Sequence, residues 1–557
     1  MKTCPRLCAT MAVAVVGLSA RPSPAQADYE YAVVPAMSNV KRLADTEPVD
    51  GVFGAPVQFI AAQGEFEPAS LVLRAPRNVR QVVLKATDLK GRNGVIPATA
   101  LDLKIVKIWV QTGCAWHSYF ADATGRQLVP ELLLNDENLV RVDTETLDNY
   151  LRVTNPRGEE EYVWISHPRE IDVPFNPQRD RVADAETLQP FSLQQGQFKQ
   201  IWITLEAPKD AVGIYRGDIQ VTLDGAPAPA IPVVVRILPF ALPDPMTNYD
   251  PARRYYASSY NANNLQRYVQ QNGGDVEQAA RRLLNEYVSF RKHNLLYPMV
   301  PAFRGGNTNF FERQLAIYKE AGLRTDVLFN AVRGIPDYGY LKHTNRTLPL
   351  AAQDLPPYWA GEILGGIELV RKHFGPDTQV YGFGWDEPGM GLLRAQRAPW
   401  TFMHDHGVKT YSTAHAAHLL HGGYNEDFVN YGGSYSKAEA AKWHAFGARI
   451  TSYANPHTGP ENPDFVRRTH GMDLYLADHD GANNYMVSGS DWNDFLGSHY
   501  NFRAFNWVYP ATDRHVDTIQ FEGFREAIDD VRYATLLKQV AHRAIATGAT
   551  EHVYAGR

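Results

Sequence analysis

Residues 358–389, YWAGEILGGIELVRKHFGPDTQVYGFGWDEPG, decide the fold of the second half of the chain. A helix-length segment over 358–374 leads into an apolar and aromatic run over 378–385, which is the pattern of a helix followed by a short buried strand. Two acidic residues, Asp386 and Glu387, close the run. The stretch therefore predicts one α/β unit with carboxylates where its strand ends.

The same alternation continues on both sides, from about Tyr249 onward. Strand-like runs cover 253–259, 294–300, 325–331, 378–385, 408–414, 427–433, 448–454, 473–479 and 504–510, and helices are predicted over 276–293, 310–322, 358–374, 436–447 and 524–548. Alternating strands and helices over this length predict a (β/α)8, TIM-type barrel over 249–545, with a tail over 546–557. The sequence has nine strand-like runs but the barrel has eight strands, so one of the last three runs is expected to lie outside the barrel.

The first half has a different pattern. Short runs with period-two alternation, such as PVQFIAA (56–62) and GDIQVTL (217–223), are bounded by turn residues and predict an antiparallel β-sandwich over 28–243. A polar stretch near 155–185 is interpreted as an excursion loop from it. The proline-rich PFALPDP (239–245) predicts the domain boundary.

The first residues predict export. Lys2 and Arg6 precede an apolar run too short to span a bilayer, and the small-residue site at 25–27 predicts a signal peptide over 1–27, so the mature protein is expected to be secreted or periplasmic. Cleavage leaves Cys114, interpreted as a buried apolar residue. A net charge of −6 without basic clusters argues against nucleic acid or an anionic membrane as partner.

Placement distinguishes Asp386 and Glu387 from the other adjacent acids of the chain. Barrel active sites lie at the strand ends, Pro388 stops the strand, and the neighbouring Trp385 is expected to help keep one acid protonated by desolvation. Glycosidases with two catalytic acids usually take them from different strands, whereas consecutive acids suit substrate-assisted hydrolysis. A helix N-cap or a surface pair remains the structural alternative.

At this motif the chain resembles glycoside hydrolase family 123 and its wider relatives. The resemblance lies in GEFEPASLVLRA (64–75) with GIYRGDIQV (213–221), in FGWDEPG (383–389), and in FEGFREAIDDVRY (521–533). It implies a β-N-acetylgalactosaminidase that acts on a glycan or glycoconjugate without cofactor or metal, with Asp386 polarising the acetamido group and Glu387 as the general acid/base. Two rivals remain: a non-catalytic glycan-binding protein on the same scaffold, and a glycosidase for sugars without an acetamido group, with a second carboxylate such as Glu461 or Asp480.

Several aromatic and amide residues near predicted strand ends are candidate sugar contacts, since sugars offer hydroxyls to donors and C–H faces to rings. They are Trp385, Tyr256, Asn330, His415, Tyr431, Tyr453, Asn455, Trp507 and Tyr509. His415, His418 and His421 recur at three-residue spacing, which on a helix gives a shared face. A metal site there is the weaker reading, because no acidic ligand is spaced with them, and a sugar contact by His415 is favoured.

Overall fold

The structure is a computed structural model of the 557-residue chain. It describes residues 28–112, 125–166, 176, 179–261, 263–306, 308–336, 355–415, 418, 426–453, 461–488, 492 and 506–547. The predicted signal peptide and three residues considered above, Cys114, His421 and Asn455, lie outside the described residues.

The first half of the described chain consists of β-strands, as predicted. They are β1 (Glu30–Val34), β2 (Val52–Phe53), β3 (Val57–Gln63), β4 (Phe66–Arg74), β5 (Val79–Ala86), β6 (Leu89–Gly91), β7 (Gly94–Ile96), β8 (Leu101–Thr112), β9 (Arg126–Leu134), β10 (Val140–Asp143), β11 (Asp148–Thr154), β12 (Glu160–Trp164), β13 (Phe191–Leu193), β14 (Lys199–Glu206), β15 (Gly213–Leu223) and β16 (Ala226–Ala241).

Two large sheets share one apolar core. The first has the order β2-β1-β4-β14-β8-β9, and the second β13-β5-β15-β16-β3, with β6 paired to β15 and β7. Leu71 and Ile203 from the first sheet are fully buried in one cluster with Val57 and Val235 from the second. The expectation of a wholly antiparallel sandwich is wrong at one place, because β3 pairs with β16 in parallel. The chain passes from β3 directly to β4 in the other sheet, so β3 meets β16 only after a long crossover, which parallel pairing requires.

The predicted excursion loop near 155–185 is partly wrong as well. β11 and β12 pair antiparallel and extend a three-stranded sheet with β10. The turn between them is held by Asn155, whose Oδ1 accepts the backbone N–H groups of Arg157 (2.9 Å) and Glu159 (3.1 Å). The acidic residues of β12 looked like loop because β12 is an edge strand, where exposed charges are common.

The second half alternates strands and helices. The elements are β17 (Tyr256–Ser259), α1 (Leu265–Gln271), α2 (Val276–Lys292), α3 (Thr308–Glu320), β18 (Val327–Arg333), α4 (Pro357–Phe374), β19 (Gln379–Phe383), α5 (Met390–Ala395), α6 (Arg397–Asp405), β20 (Lys409–Ala414), β21 (Phe428–Tyr431), α7 (Lys437–Ala445), β22 (Arg449–Ser452), α8 (Pro463–His470), α9 (Met472–Leu476), β23 (Gly481–Asn484), β24 (Val508–Pro510), β25 (His515–Asp517) and α10 (Ile519–Ala546).

Seven of these strands form one parallel sheet in the order β17-β23-β22-β21-β20-β19-β18. Segment 297–303 runs between the two outer strands. Its backbone N–H groups bond to β17 at Tyr297 and Met299 (3.1 and 3.2 Å) and to the carbonyls of β18 at Val300 and Phe303 (3.2 and 2.9 Å). The segment therefore links the two ends of the sheet through backbone hydrogen bonds.

The last strand predictions need correction. Run 473–479 is α9 and a turn, and run 504–510 contributes β24, which pairs with β25 outside the parallel sheet. The last strand of the sheet is β23, with the sequence GANN, which lacks the apolar residues that mark a strand. Gly481 is required at its start, since a Cβ there would lie 2.1 Å from the carbonyl oxygen of Tyr256.

Helix α10 joins the two halves of the molecule. Glu522, near its start, accepts the indole N–H of Trp202 on β14 (2.8 Å) and bonds to His293 after α2 (3.0 Å). Arg525 is 1% exposed and donates to both oxygens of Glu522. Tyr533 donates to Glu65, between β3 and β4 (2.8 Å). Among the helices of the described ranges, none is long and apolar enough to cross a bilayer.

Candidate active site

The acid pair lies just beyond β19, at the carboxyl edge of the parallel sheet. Asp386 and Glu387 are both exposed, and Pro388 after them is buried. Glu387 has φ +42°, in the left-handed region that a glutamate seldom adopts. This turn breaks the alternation of a strand, in which neighbouring side chains point to opposite faces. The two carboxylates therefore need not diverge.

Thr413, on the neighbouring strand β20, contacts both members of the pair. Its hydroxyl accepts the backbone N–H of Glu387 at 2.6 Å and donates to Oδ1 of Asp386 at 2.8 Å. Thr413 is 1% exposed, so its hydroxyl is held from the buried side, whereas both acids are exposed. A buried hydroxyl with one donor and one acceptor partner has a fixed orientation, and Thr413 thereby fixes Asp386 relative to the Glu387 backbone.

Two further side chains reach the Glu387 carboxylate. Tyr453, directly after β22, donates its hydroxyl to Oε1, and Nε2 of His415, after β20, lies 3.4 Å from the same oxygen. Burial raises the pKa of Tyr453, and so do the hydrogen bond to Glu387 and the charges of Glu387 and Asp386. Tyr453 therefore remains a neutral hydrogen-bond donor. The Glu387 side chain keeps 46% of its surface exposed, so it can also meet a ligand.

A buried histidine supports the backbone next to the pair. His418 is 4% exposed, and its Nε2 lies 2.7 Å from the carbonyl oxygen of Pro388. Its Nδ1 lies 3.8 Å from Oε1 of Glu426, which also accepts the hydroxyl of Ser412 at 2.8 Å. His418 and Glu426 thus hold the turn that carries the acids.

Tyrosines surround Asp386 on the side of the sheet interior. Burial raises the pKa of Tyr260, Tyr411 and Tyr485, and the negative charge of Asp386 raises each further. The Tyr411 hydroxyl donates to that of Tyr260 at 3.3 Å and accepts the amide of Asn483. These tyrosines therefore remain neutral beside Asp386.

The structure brings only part of the predicted set together. His415 and Tyr453 contact Glu387, and Trp385 precedes the pair, with its backbone N–H bonded to Gln396 at 2.5 Å. Asn330, with φ +63°, lies on β18 and lines a cavity that also reaches the end of β19.

The other predicted contacts lie elsewhere. Tyr256 is buried among rings at the first residue of β17, at the opposite end of the sheet from the acids. Tyr431 packs in the apolar cluster that includes α7. Trp507 is 0% exposed and stacks on Phe521 of α10. Tyr509, also 0% exposed, lies against Trp109 of β8.

A glycosidase for sugars without an acetamido group would need a second catalytic carboxylate. The two candidates, Glu461 and Asp480, are both buried. Asp480 precedes β23 and bonds to Tyr249 (2.6 Å) and His444 (2.9 Å), again at the amino-terminal end of the sheet. Glu461 is 0% exposed. Neither presents a carboxylate to open space beside Asp386. Within the described ranges, no group of three or more His, Cys, Asp or Glu side chains is placed to hold a metal.

Sequence reasoning missed the residues that orient the pair. Thr413 and Tyr411 lie in a run that was recognised as a strand, and Asn483 lies in β23, which was not recognised. The available signal was polar residues inside strand-like runs, which in a parallel sheet must find buried partners.

The fold so described, a two-sheet β unit followed by a parallel α/β unit, has a counterpart among known structures. A family 123 glycoside hydrolase from Clostridium perfringens matches with a TM-score of 0.55 and 14% sequence identity, over 88% of this chain and 85% of that one. The two chains share a fold. No protein-family model matches the chain, and no curated protein is significantly similar to it.

Two other solved structures overlap widely but superpose poorly. A GH5 xyloglucanase from Bacteroides ovatus has a TM-score of 0.30 at 9% identity, covering 85% of this chain and 98% of that one. A GH2 beta-galacturonidase from Eisenbergiella tayi has a TM-score of 0.31 at 9% identity, with coverages of 90% and 95%. These values do not indicate a shared fold.

Proposed function

We propose that the protein is a retaining glycoside hydrolase that cleaves β-linked N-acetylhexosamine, with N-acetylgalactosamine favoured, by substrate-assisted catalysis. The observation that carries the proposal is the environment of the acid pair. Asp386 and Glu387 are consecutive and exposed, and each is oriented by its own buried hydroxyl, Thr413 and Tyr453. Such fixed and separate orientation suits two acids with different roles.

In this mechanism the substrate supplies the nucleophile. The 2-acetamido oxygen attacks the anomeric carbon while Glu387 donates a proton to the leaving oxygen, and a bicyclic oxazolinium forms. Asp386 accepts the acetamido N–H and offsets the positive charge. Glu387 then removes a proton from water, which opens the oxazolinium with net retention.

Two likenesses support the class of reaction. The chain resembles family 123 in FGWDEPG (383–389), and the structure with which it shares a fold is a family 123 enzyme whose study concerns glycolipid glycan hydrolysis. Fold does not determine function, so the proposal depends on the geometry of the pair.

The architecture and location belong to the same proposal. Segment 297–303 serves as the second of eight strands, which closes the parallel sheet into a barrel over 249–545 after a sandwich over 28–243. The signal peptide over 1–27 directs the protein to the periplasm or outside the cell. The barrel places the acid pair at the end where (β/α)8 active sites lie.

A substrate screen tests the class. Aryl β-glycosides of N-acetylgalactosamine, N-acetylglucosamine, galactose and glucose are compared, with Glu387→Gln as the inactive control. We expect turnover of the acetamido sugars only, and turnover in the variant is expected to fall most for poor leaving groups, because protonation is lost. Absence of hydrolysis of all four would favour the non-catalytic glycan-binding protein.

The mechanism has its own test. A thiazoline mimic of the oxazolinium should inhibit strongly, since it resembles the species that the site stabilises. A 2-fluoro glycoside inactivator should leave no covalent adduct on Asp386 by mass spectrometry. A glycosyl adduct, or brisk hydrolysis of plain β-galactosides, would instead indicate double displacement with a second carboxylate.

A further inference from the structure

The cavity lined by Asn330 ends close to the acid pair. It has a volume of about 550 Å³ and lies between the start of α1, segment 301–304, the start of α3, the end of β18 and the end of β19. We call it the arginine cleft, after the two arginines in its lining, Arg304 and Arg333. A cavity of this size holds a small ligand or one unit of a larger one.

The lining of the arginine cleft ends two residues before the acid pair. Phe383 and Gly384 line it, and Asp386 follows two residues later. The Phe383 ring also contacts the rings of Tyr260 and Tyr411, at 5.9 and 5.2 Å between centroids, and both tyrosines sense the charge of Asp386. The cleft therefore lies beside residues that pack next to Asp386.

The walls of the cleft are fixed in advance. The Gln314 side chain bonds to the backbone at Leu265 (3.1 Å) and Asn263 (3.1 Å), and Asn330 donates to Val300 (3.0 Å). Phe303 and Phe311 are largely buried and give the cleft an apolar surface. A preformed site with apolar walls and polar edges suits a sugar ring.

The charge of the lining is positive. None of the described lining residues is acidic, and two carry a guanidinium group. Behind the lining, Oε2 of Glu362 lies 3.9 Å from Arg333, and its Oε1 accepts the N–H of Gly305 at 3.3 Å. Arg304 is exposed at the rim and pairs with no carboxylate in the described parts of the chain. The exposed Arg304 guanidinium therefore offers positive charge to a ligand at the rim of the cleft.

We propose, as a refinement that rests on the proposed glycosidase function, that the arginine cleft binds a sugar unit bearing a negatively charged substituent, next to the unit cleaved at the acid pair. The guanidinium fork matches the paired oxygens of a sulfate ester or a carboxylate. Arg333, with Glu362 at 3.9 Å, supplies one guanidinium group, and Arg304 supplies a second from the rim. The negative charge of the ligand is thereby kept away from the carboxylates of the acid pair.

The test uses three matched disaccharides, each with β-N-acetylgalactosamine linked to an uncharged galactose, a sulfated galactose or a uronic acid. Binding to Glu387→Gln is measured by calorimetry at low and high salt. We expect at least one charged disaccharide to bind about tenfold more tightly than the uncharged one at low salt, as a charge-assisted hydrogen bond gives, with a smaller ratio at high salt. Sulfate and carboxylate are distinguished by which disaccharide shows the ratio.

Two arginine variants locate the effect. Arg304→Gln should lower the ratio of charged to uncharged binding. Arg313, on α3, is paired with Glu277 (2.9 Å) and lies outside the lining, so Arg313→Gln should leave the ratio unchanged. Equal binding of all three disaccharides, or an unchanged ratio in Arg304→Gln, overturns the inference.

Hydrolysis by the unsubstituted protein separates this inference from the proposed function. Cleavage of all three disaccharides at equal kcat/KM keeps the glycosidase and refutes the charged cleft. Preferential binding of a charged disaccharide without any cleavage keeps the cleft and refutes the glycosidase. Neither binding nor cleavage refutes both.

Discussion

Replacing Thr413 with valine removes a hydroxyl that touches both members of the acid pair. Valine has the shape of threonine, so the buried position stays filled and the change is confined to hydrogen bonding. Two bonds are lost: the one from the Glu387 backbone N–H (2.6 Å) and the one to Oδ1 of Asp386 (2.8 Å). Asp386 then loses a contact that orients it toward the acetamido group that it is proposed to hold.

The size of the effect follows from the bond to the carboxylate. A hydrogen bond to a charged group contributes about 1.5–3 kcal/mol, and each 1.36 kcal/mol of barrier corresponds to a factor of ten in rate. If the bond is needed mainly in the transition state, kcat should fall about 10- to 150-fold with KM little changed. The orphaned N–H of Glu387 lies at an exposed turn, where water can replace the lost partner, so stability should change little.

The assay is steady-state hydrolysis of an aryl β-N-acetylgalactosaminide, with thermal unfolding measured in parallel. Thr413→Ser is the matched control, because it keeps the hydroxyl and loses only a methyl group. Thr451→Val is a second control, since its hydroxyl bonds to Asn430 (3.0 Å) and not to the pair. Unchanged kcat in Thr413→Val, or an equal loss in Thr413→Ser, would show that the hydroxyl does not orient Asp386.

Three further predictions address other contacts. Tyr453→Phe removes the donor to Glu387 and should lower kcat about tenfold or more, with an unchanged melting temperature; an intact rate would exclude the role. Arg525→Met leaves Glu522 buried without its main cation and should destabilise the protein by about 3–5 kcal/mol in urea unfolding, whereas a loss under 1 kcal/mol would contradict a buried pair. Burial, followed by the charge of a neighbouring glutamate, raises the pKa of Glu67 from 4.5 to about 8. The native state therefore holds a proton that the unfolded chain releases, so stability falls as pH rises between these values; Glu67→Gln should raise the melting temperature at pH ~8 but not at pH ~5, and equal shifts at both would refute the assignment.

The position of Asp386 and Glu387 at a strand end was predictable because its signal is local. An aromatic strand that ends in two acids and a proline is unusual on packing grounds alone, and Asp386 and Glu387 do lie at the carboxyl edge of the sheet. Likewise the amphipathic period of 276–293 predicted α2 to within one residue of its observed end. Such features depend on residues close in sequence.

Features that depend on sheet neighbours were not predictable. β23 was missed because it has few apolar side chains. Its four residues lie between β17 and β22, and Gly481 lets the backbone approach that of Tyr256 closely. Tyr256 was predicted as a site residue because the strand-like run over 253–259 does not show where the strand begins. Tyr256 is in fact its first residue. Thr413 contacts the acid pair only because β20 lies beside β19 in the sheet. The sequence of a single strand does not show which strand is its neighbour.

The placement of α10 has a consequence for biosynthesis. A ribosome makes residues 519–546 after every other described element, yet Glu522 supplies a partner to Trp202 on one side and to His293 on the other. These two contacts therefore form only after elongation has passed residue 519, although earlier residues such as Tyr509 and Trp109 already join the halves. A product terminated before residue 519 would leave Trp202 and His293 without their shared carboxylate partner, so its two halves should be held together less firmly and should be cut more readily by proteases.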